Sequence, residues 1–320
     1  MSHGSLQYWP HRRARRRLPR LRNSPDVEEQ GLANIVAYKV GMTHLIMVDD
    51  SNSTTKGLEI SIPCTLLELP RMEAYGIRLY VLDHNSRYLV SKEEIYNKAL
   101  AQKLGIKKTK HDESKISTIK PKIKEFVEVS VLVAAQPSGT SAEQHHPMRF
   151  EAPATGKTVE EKFEFASKVL GSELRASDLF KAGEYVDMSS ITKGKGWQGP
   201  IKRFHVKRNF HKGTGKIRHG GPLGAFSPGK VFYTTPRAGQ LGFNYRTEHN
   251  KRILKLGKKE EVQSVARDGG YKNYGQPQND FILVEGSVPG VPKRLVRIRK
   301  SIRHRNETGI KEPKLVYIAR

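Results

Sequence analysis

The sequence predicts a mainly β protein with an inserted α/β lobe, and three observations lead there. Ten short segments rich in β-branched and aromatic residues stand between turn-forming residues. Only two segments carry a helical pattern, and both precede residue 181. The 320 residues, 36% of them hydrophobic, suffice for one large core or two smaller ones. Together these describe a β-barrel interrupted by a lobe that holds the helices.

The strand candidates are residues 34–40, 45–48, 62–69, 77–82, 126–133, 185–191, 231–235, 281–284, 295–299 and 315–318. Residues 126–133 give the clearest pattern: Val127, Val129, Val131 and Val133 share one face and Glu128 and Ser130 the other, as in a half-buried strand. Val296 and Ile298 alternate with Arg297 and Arg299, which predicts one packed face and one that offers charge. The first helix is 92–104, with Ser91 and Glu94 spaced as a capping box; the second is 159–180, broken at Gly171. No repeat of solenoid period is present.

Charge narrows the function. Lys and Arg number 57 against 32 Asp and Glu, a net +25 that requires anionic partners. No apolar run approaches the roughly 18 residues of a membrane span. The N-terminus leads into arginines instead of a signal sequence, which predicts a cytosolic protein. The single cysteine, Cys64, excludes an intrachain disulfide and a Cys-based zinc site. Acids are missing from two segments. Residues 1–25 hold Arg12, Arg13, Arg15, Arg16, Arg17, Arg20 and Arg22, and Pro10, Pro19 and Pro25 interrupt any helix there. Between Asp187 and Glu248 lie 60 residues with 12 Lys/Arg, 11 Gly, 8 aromatics and no acid. A merely solvated surface mixes both signs. Here cations are interleaved with Trp197, Phe204, Phe210 and Phe226, a pattern suited to phosphates and to exposed bases that can stack. A loop of one charge sign repels itself, so it is expected to order on a large structured RNA.

Other chemistries fit less well. Gly194-Lys195-Gly196-Trp197-Gln198-Gly199 matches a dinucleotide fingerprint, but Pro200, Lys202 and Arg203 follow and no acid occurs before Glu248 to hold a ribose. His145 and His146, and His205, His211 and His219, lack metal-ligand spacing, and the last three have no carboxylate nearby to complete a shell. No G-x-S-x-G elbow is present, and the segment best placed for phosphates has no carboxylate to hold Mg²⁺. The chain therefore reads as non-enzymatic. A DNA-compacting protein, which the charge alone permits, and an RNA-modifying enzyme are the alternatives.

Several blocks resemble the universal ribosomal protein three family of the large subunit, in its archaeal and eukaryotic branch. They are Ala37-Tyr38-Lys39-Val40-Gly41-Met42-Thr43, Ile191-Thr192-Lys193 continuing through Gly199, Arg237-Ala238-Gly239-Gln240 with Arg246-Thr247, Gly269-Gly270-Tyr271, Asn279-Asp280-Phe281-Ile282-Leu283-Val284, Gly286-Ser287-Val288-Pro289-Gly290, Lys293-Arg294 and Arg299-Lys300-Ser301. They run in family order from about residue 5 to 301.

The resemblance implies a six-stranded, closed, translation-protein-type β-barrel with an inserted α/β lobe, a long basic N-terminal arm and an internal loop extension. It divides the chain into an arm (1–33), a discontinuous barrel (34–71 and 181–301) carrying the extension (192–230), a lobe (72–180) and a C-terminal segment (302–320). It implies a structural, cytoplasmic constituent of the large ribosomal subunit that binds 23S-type rRNA near its 3′ end, helps nucleate assembly and sends the loop toward the peptidyl transferase centre. The rRNA-binding residues would be Arg12, Arg13, Arg15, Arg16 and Arg17 in the arm. In the loop and its flanks they would be Lys193, Lys195, Trp197, Lys202, Arg203, His205, Lys207, Arg208, His211, Lys212, Lys216, Arg218, His219, Phe226, Lys230, Arg237 and Arg246. Phe226 stands where eukaryotic relatives carry Trp; it can stack but has no N–H to donate. No cofactor is implied beyond structural Mg²⁺ or monovalent ions at the rRNA. Family analogy makes large-subunit proteins fourteen and, in archaea, twenty-four its neighbours, with no membrane contact and no homo-oligomer.

Overall fold

The computed structural model describes residues 4–21, 23–24, 28–83, 88–106, 115–213, 215–303 and 312–319. The chain forms two compact units, Met1–Arg17 with Ile191–Arg246 and Leu18–Ser190 with Thr247–Arg320. In chain order the elements are β1 (Gly31–Leu32), β2 (Asn34–Val48), β3 (Glu59–Glu68), β4 (Arg71–Leu82), β5 (Leu89–Tyr96), α1 (Lys98–Lys103), α2 (Lys115–Ile119), β6 (Glu128–Gln136), β7 (Met148–Thr155), α3 (Val159–Val169), β8 (Glu173–Leu174) and β9 (Tyr185–Ile191). There follow β10 (Trp197–Gln198), α4 (Pro200–Phe204), β11 (Gly239–Gln240), β12 (Tyr245–Gly257), β13 (Phe281–Glu285), β14 (Leu295–Lys300) and β15 (Leu315–Ile318). The protein is mainly β, with antiparallel sheets, as predicted. Among the described residues no helix is long and apolar enough to cross a membrane.

One sheet runs β14-β9-β12-β13-β3-β2-β15, and β14 also pairs with β2, so six strands close into a ring. The closing strand sets Val296 opposite Ala37 on one side and Ser190 on the other. Candidate strands 34–40 and 45–48 are one strand, because the residues between them keep pairing with β3 past a register shift at Lys39/Gly41. Gly41 is required there: an added Cβ would lie 2.6 Å from the Tyr271 ring. Val36, Leu66, Met188, Leu283 and Val296 join one core. Cys64 is buried in β3, and burial pushes its thiol up to about 11. β12 carries no apolar alternation at its start, since burial begins only at Arg252, Ile253 and Leu254.

The ring overturns the expected charged face of β14. Arg297 and Arg299 are each only 7% exposed. Arg297 donates to Asn34 Oδ1 at 3.0 Å and lies over the Phe150 ring. Arg299 donates to Asp187 Oδ2 at 3.0 Å and to the Asn23 carbonyl at 2.6 Å. A strand paired on both edges and covered on both faces can hold a cation only if it is partnered.

The second sheet runs β1-β7-β6-β4-β5, with β8 on β4. Val129, Val131 and Val133 point into the main core as predicted, yet Leu132 and Ala134 are buried too, in a small cluster with Tyr75, Tyr96 and Ala101 of α1. The strand is thus buried on both faces, and Val127 precedes it with 52% exposure. The predicted helix 92–104 is also corrected. Residues 92–96 lie in β5, where Glu94 accepts from Arg78 of β4 at 2.7 Å, and α1 begins only after Asn97, which caps the Leu100 amide at 3.1 Å. Cross-strand pairing outweighed the capping-box spacing. The predicted helix 159–180 is shortened: α3, capped by Thr158, ends at Val169, Gly171 has φ +85°, and beyond it the chain forms β8 and a 3₁₀ turn at Ala176–Asp178 instead of resuming the helix. β7 was hidden by Pro153, a strand breaker that here sits opposite Ser130.

Candidate nucleic-acid interface

The smaller unit unites the two acid-free segments. Its 73 residues (17 from the N-terminus and 56 from the loop) contain 17 Lys/Arg and no Asp or Glu. The loop leaves and returns as a ribbon. Thr192 N donates to Asn244 O at 2.9 Å, Phe243 N to Lys193 O at 3.2 Å, Lys195 N to Leu241 O at 2.9 Å and Leu241 N to Gly196 O at 2.9 Å. β10 then pairs with β11, Trp197 opposite Gln240. Gly242, at φ +72°, allows this approach, because a Cβ there would fall 2.0 Å from the Lys193 carbonyl oxygen.

Beyond the ribbon, Pro200 starts the short α4, whose Phe204 turns inward and is 7% exposed. That corrects the reading of Phe204 as a base-stacking ring. It stacks on Trp9 at a centroid distance of 5.8 Å and meets the His11 ring edge-on at 5.6 Å. Trp9 also touches His11 and Tyr233. The predicted strand 231–235 is absent: Val231 and Phe232 are exposed in irregular backbone and Tyr233 is exposed in a turn. Two backbone contacts complete the joint, from Ala14 N to Phe243 O at 2.9 Å and from Asn244 Nδ2 to Arg12 O at 2.8 Å.

Arg12, Arg13, Arg15, Arg16 and Arg17 are exposed, as are Lys193, Lys195, Trp197, Lys202, His205, Lys207, Arg208, His211, Lys212, Lys216, Arg218, His219, Phe226, Lys230 and Arg237. Arg22 lies outside the described residues. Two predicted residues are half-buried. Arg203 donates to the carbonyls of Gln240 (3.0 Å) and Arg237 (2.9 Å) and lies 4.8 Å from the Phe204 ring centre, and burial lowers its pKa. Arg246 covers the Tyr8 ring at 4.1 Å. Phe226 is fully exposed, Phe210 is 80% exposed and Trp197 76%. Asn209 shapes the turn near Phe210 by donating through Nδ2 to Lys216 O and His219 O. Sequence reasoning missed Tyr8, Trp9 and His11 as the arm's anchors. Their signal was a cluster of rings just before the arginines, masked by the reading of 1–25 as a charge run.

Among the described residues no three His, Cys, Asp or Glu side chains converge as a metal site. Unneutralised cations at this density sum to a positive field that acts on polyanions beyond direct contact. Exposed rings among them add faces on which bases can stack. A mainly β protein carrying such a unit has the make-up of a nucleic-acid-binding protein.

The sequence pattern of the family Ribosomal protein L3 matches residues 1–319, and the chain belongs to that family. Among its relatives, the large ribosomal subunit protein uL3 of Methanothermobacter thermautotrophicus is 41% identical over 308 residues, covering 94% of this chain and 91% of that one. The protein of the same name from Methanopyrus kandleri is 40% identical over 324 residues, covering 99% and 89%. That of Methanosphaera stadtmanae is 38% identical over 322 residues, covering 99% and 95%.

Proposed function

We propose that this chain is a non-enzymatic structural constituent of the large ribosomal subunit and binds rRNA directly. The observation that carries this reading is the segregation of charge: every one of the 32 acids lies outside a unit that holds 17 cations. Within the reading, the six-strand ring is the translation-protein-type barrel, residues 72–180 are its inserted lobe, and 192–230 form the extension. The contacts are Arg12–Arg17 and the exposed cations and rings of the loop, with Phe226 near the tip that faces the peptidyl transferase centre. The rRNA bound is 23S-type, near its 3′ end, where the protein helps nucleate assembly. Its protein neighbours are large-subunit proteins fourteen and twenty-four.

Co-sedimentation with large subunits after a high-salt wash tests the assignment; recovery only in the free fraction overturns it. Filter binding to an rRNA fragment refines it. If ten phosphates are neutralised, log affinity falls with log salt at a slope of about −7. A variant lacking residues 196–228 should bind more weakly and with a flatter slope, and an unchanged slope would remove the loop from the phosphate contacts.

A further inference from the structure

The three most exposed rings of the acid-free unit, Phe226, Phe210 and Trp197, are not equivalent. Phe226 lies in a stretch, 220–230, that is exposed throughout and has no helix or strand. Phe210 has Lys207 over its ring at 5.7 Å. Trp197 differs from both. Its backbone is fixed in the β10–β11 ribbon opposite Gln240, directly after the Lys195–Leu241 and Leu241–Gly196 hydrogen bonds. Gln198 Nε2 closes the turn onto Lys195 O at 2.7 Å, and Arg203 braces the opposite strand through Gln240 O at 3.0 Å. Yet its indole is 76% exposed, and among the described residues no ring, cation or hydrogen-bond acceptor engages it. Space around it is open too: a Cβ added at Gly196 or Gly199 would meet nothing within 4 Å. Lys193, Lys195 and Lys202, all exposed, flank it in sequence.

We infer that Trp197 is a preorganised stacking platform for one unpaired RNA base, its indole N–H free to donate and the flanking lysines meeting the phosphates beside that base. The inference rests on the RNA-binding reading above and adds to it the chemistry of the ligand at one position. An RNA occupant is favoured over a protein surface because the surroundings carry only positive charge, which a polyanion neutralises. An unpaired base is favoured over a duplex because a paired base hides its face within the stack, and a rigid ring stacks on an exposed face with little ordering cost.

The two tryptophans, Trp9 and Trp197, make this testable. In full-length Trp9→Phe, the remaining emission belongs to Trp197; if that variant fails to fold, the difference between wild type and Trp197→Phe gives the same signal. Oligoadenylate should quench the emission, a perfect RNA duplex matched in phosphate number should quench it far less, and polyphosphate should bind without quenching. Trp197→Ala should weaken oligoadenylate binding about ten-fold with an unchanged salt slope, and Trp197→Phe should retain most of the affinity. Saturable oligoadenylate binding without quenching, or unaltered affinity in Trp197→Ala, overturns the stacking role and leaves RNA binding standing. Failure of the wild type to bind any RNA overturns both.

Discussion

The two units use charge in opposite ways. In the larger one, 32 acids serve 40 Lys and Arg, and among the described residues eight of these groups are buried. Arg252 meets Asp50 through two hydrogen bonds at 2.7 and 2.5 Å. Glu68 is fully buried and accepts from the Gln278 and Asn279 amides, from Asn279 Nδ2 and from Tyr274 Oη. Charge there specifies which strands meet. In the smaller unit 17 cations have no acid to pair with, and the joints are made of rings and main-chain carbonyls. Leaving charge unpaired costs self-repulsion, but it keeps the cations available to an outside polyanion. The contrast separates a fold whose interior charges are paired within it from a surface whose charges are left to meet external ones.

The largest effect expected from breaking this contrast is in the larger unit. Asp187 is fully buried between Arg299, His249 at 3.0 Å and the Asn250 amide at 3.1 Å. Burial raises its pKa, but these donors more than offset that and hold the carboxyl below its ordinary value. Asp187→Ala would strand Arg299 and should destabilise the protein by about 3–5 kcal/mol in urea unfolding. A loss under about 1 kcal/mol would show that the ion pair does not define β14. A smaller effect, confined to the other unit, is expected for Phe204→Ala. Losing this buried ring should cost about 3 kcal/mol of local stability and expose the arm to trypsin at Arg12–Arg17, while larger-unit unfolding stays put. Unchanged cleavage would mean that the backbone bonds at Ala14 and Asn244 suffice.

Smaller still in stability, yet clear in binding, is replacement of Arg15, Arg16 and Arg17 by Ser. Each is exposed, so stability should move by less than about 0.5 kcal/mol per site. The salt dependence of rRNA binding should flatten by about 2, three phosphates at roughly 0.7 each. A stability loss without a change of slope would reverse the assignment of these arginines to the ligand.

What the sequence disclosed follows the same division. Strand 315–318, an uninterrupted apolar run, and strand 185–191, with Tyr185, Val186, Met188 and Ile191, were legible to the residue. β12 was not, because a strand that begins with Arg246, Glu248 and Lys251 has no apolar period to detect. The first helix was misread because Ser91 and Glu94 satisfy a local rule that pairing with β4 overrode. Arg297 and Arg299 look like surface charge in any window of the chain, and only ring closure puts partners around them. The acid-free segments were legible from composition. Their union into one unit was not, since it rests on contacts between Trp9 and Phe204, 195 positions apart.

The smallest expected effect concerns that joint and acts through pH. His11 sits against Trp9 and Phe204, and its pKa is lowered from the ordinary 6.5 first by burial and then by Arg203 and Arg246. A released arm would have the ordinary value. Above about pH 6.5 neither state binds the proton, and docking is indifferent to pH. Below it the released arm is protonated while the docked ring resists, so docking weakens as pH falls until the docked ring is protonated too. In Trp197→Phe, where Trp9 alone emits, the emission should shift toward that of a solvated indole as pH falls below about 6.5. His11→Phe, which keeps the ring and removes the titration, should abolish the shift. A shift that persists in His11→Phe would assign the pH response to another group, and no shift in either variant would mean that Phe204 and the backbone bonds hold the arm regardless of charge on His11.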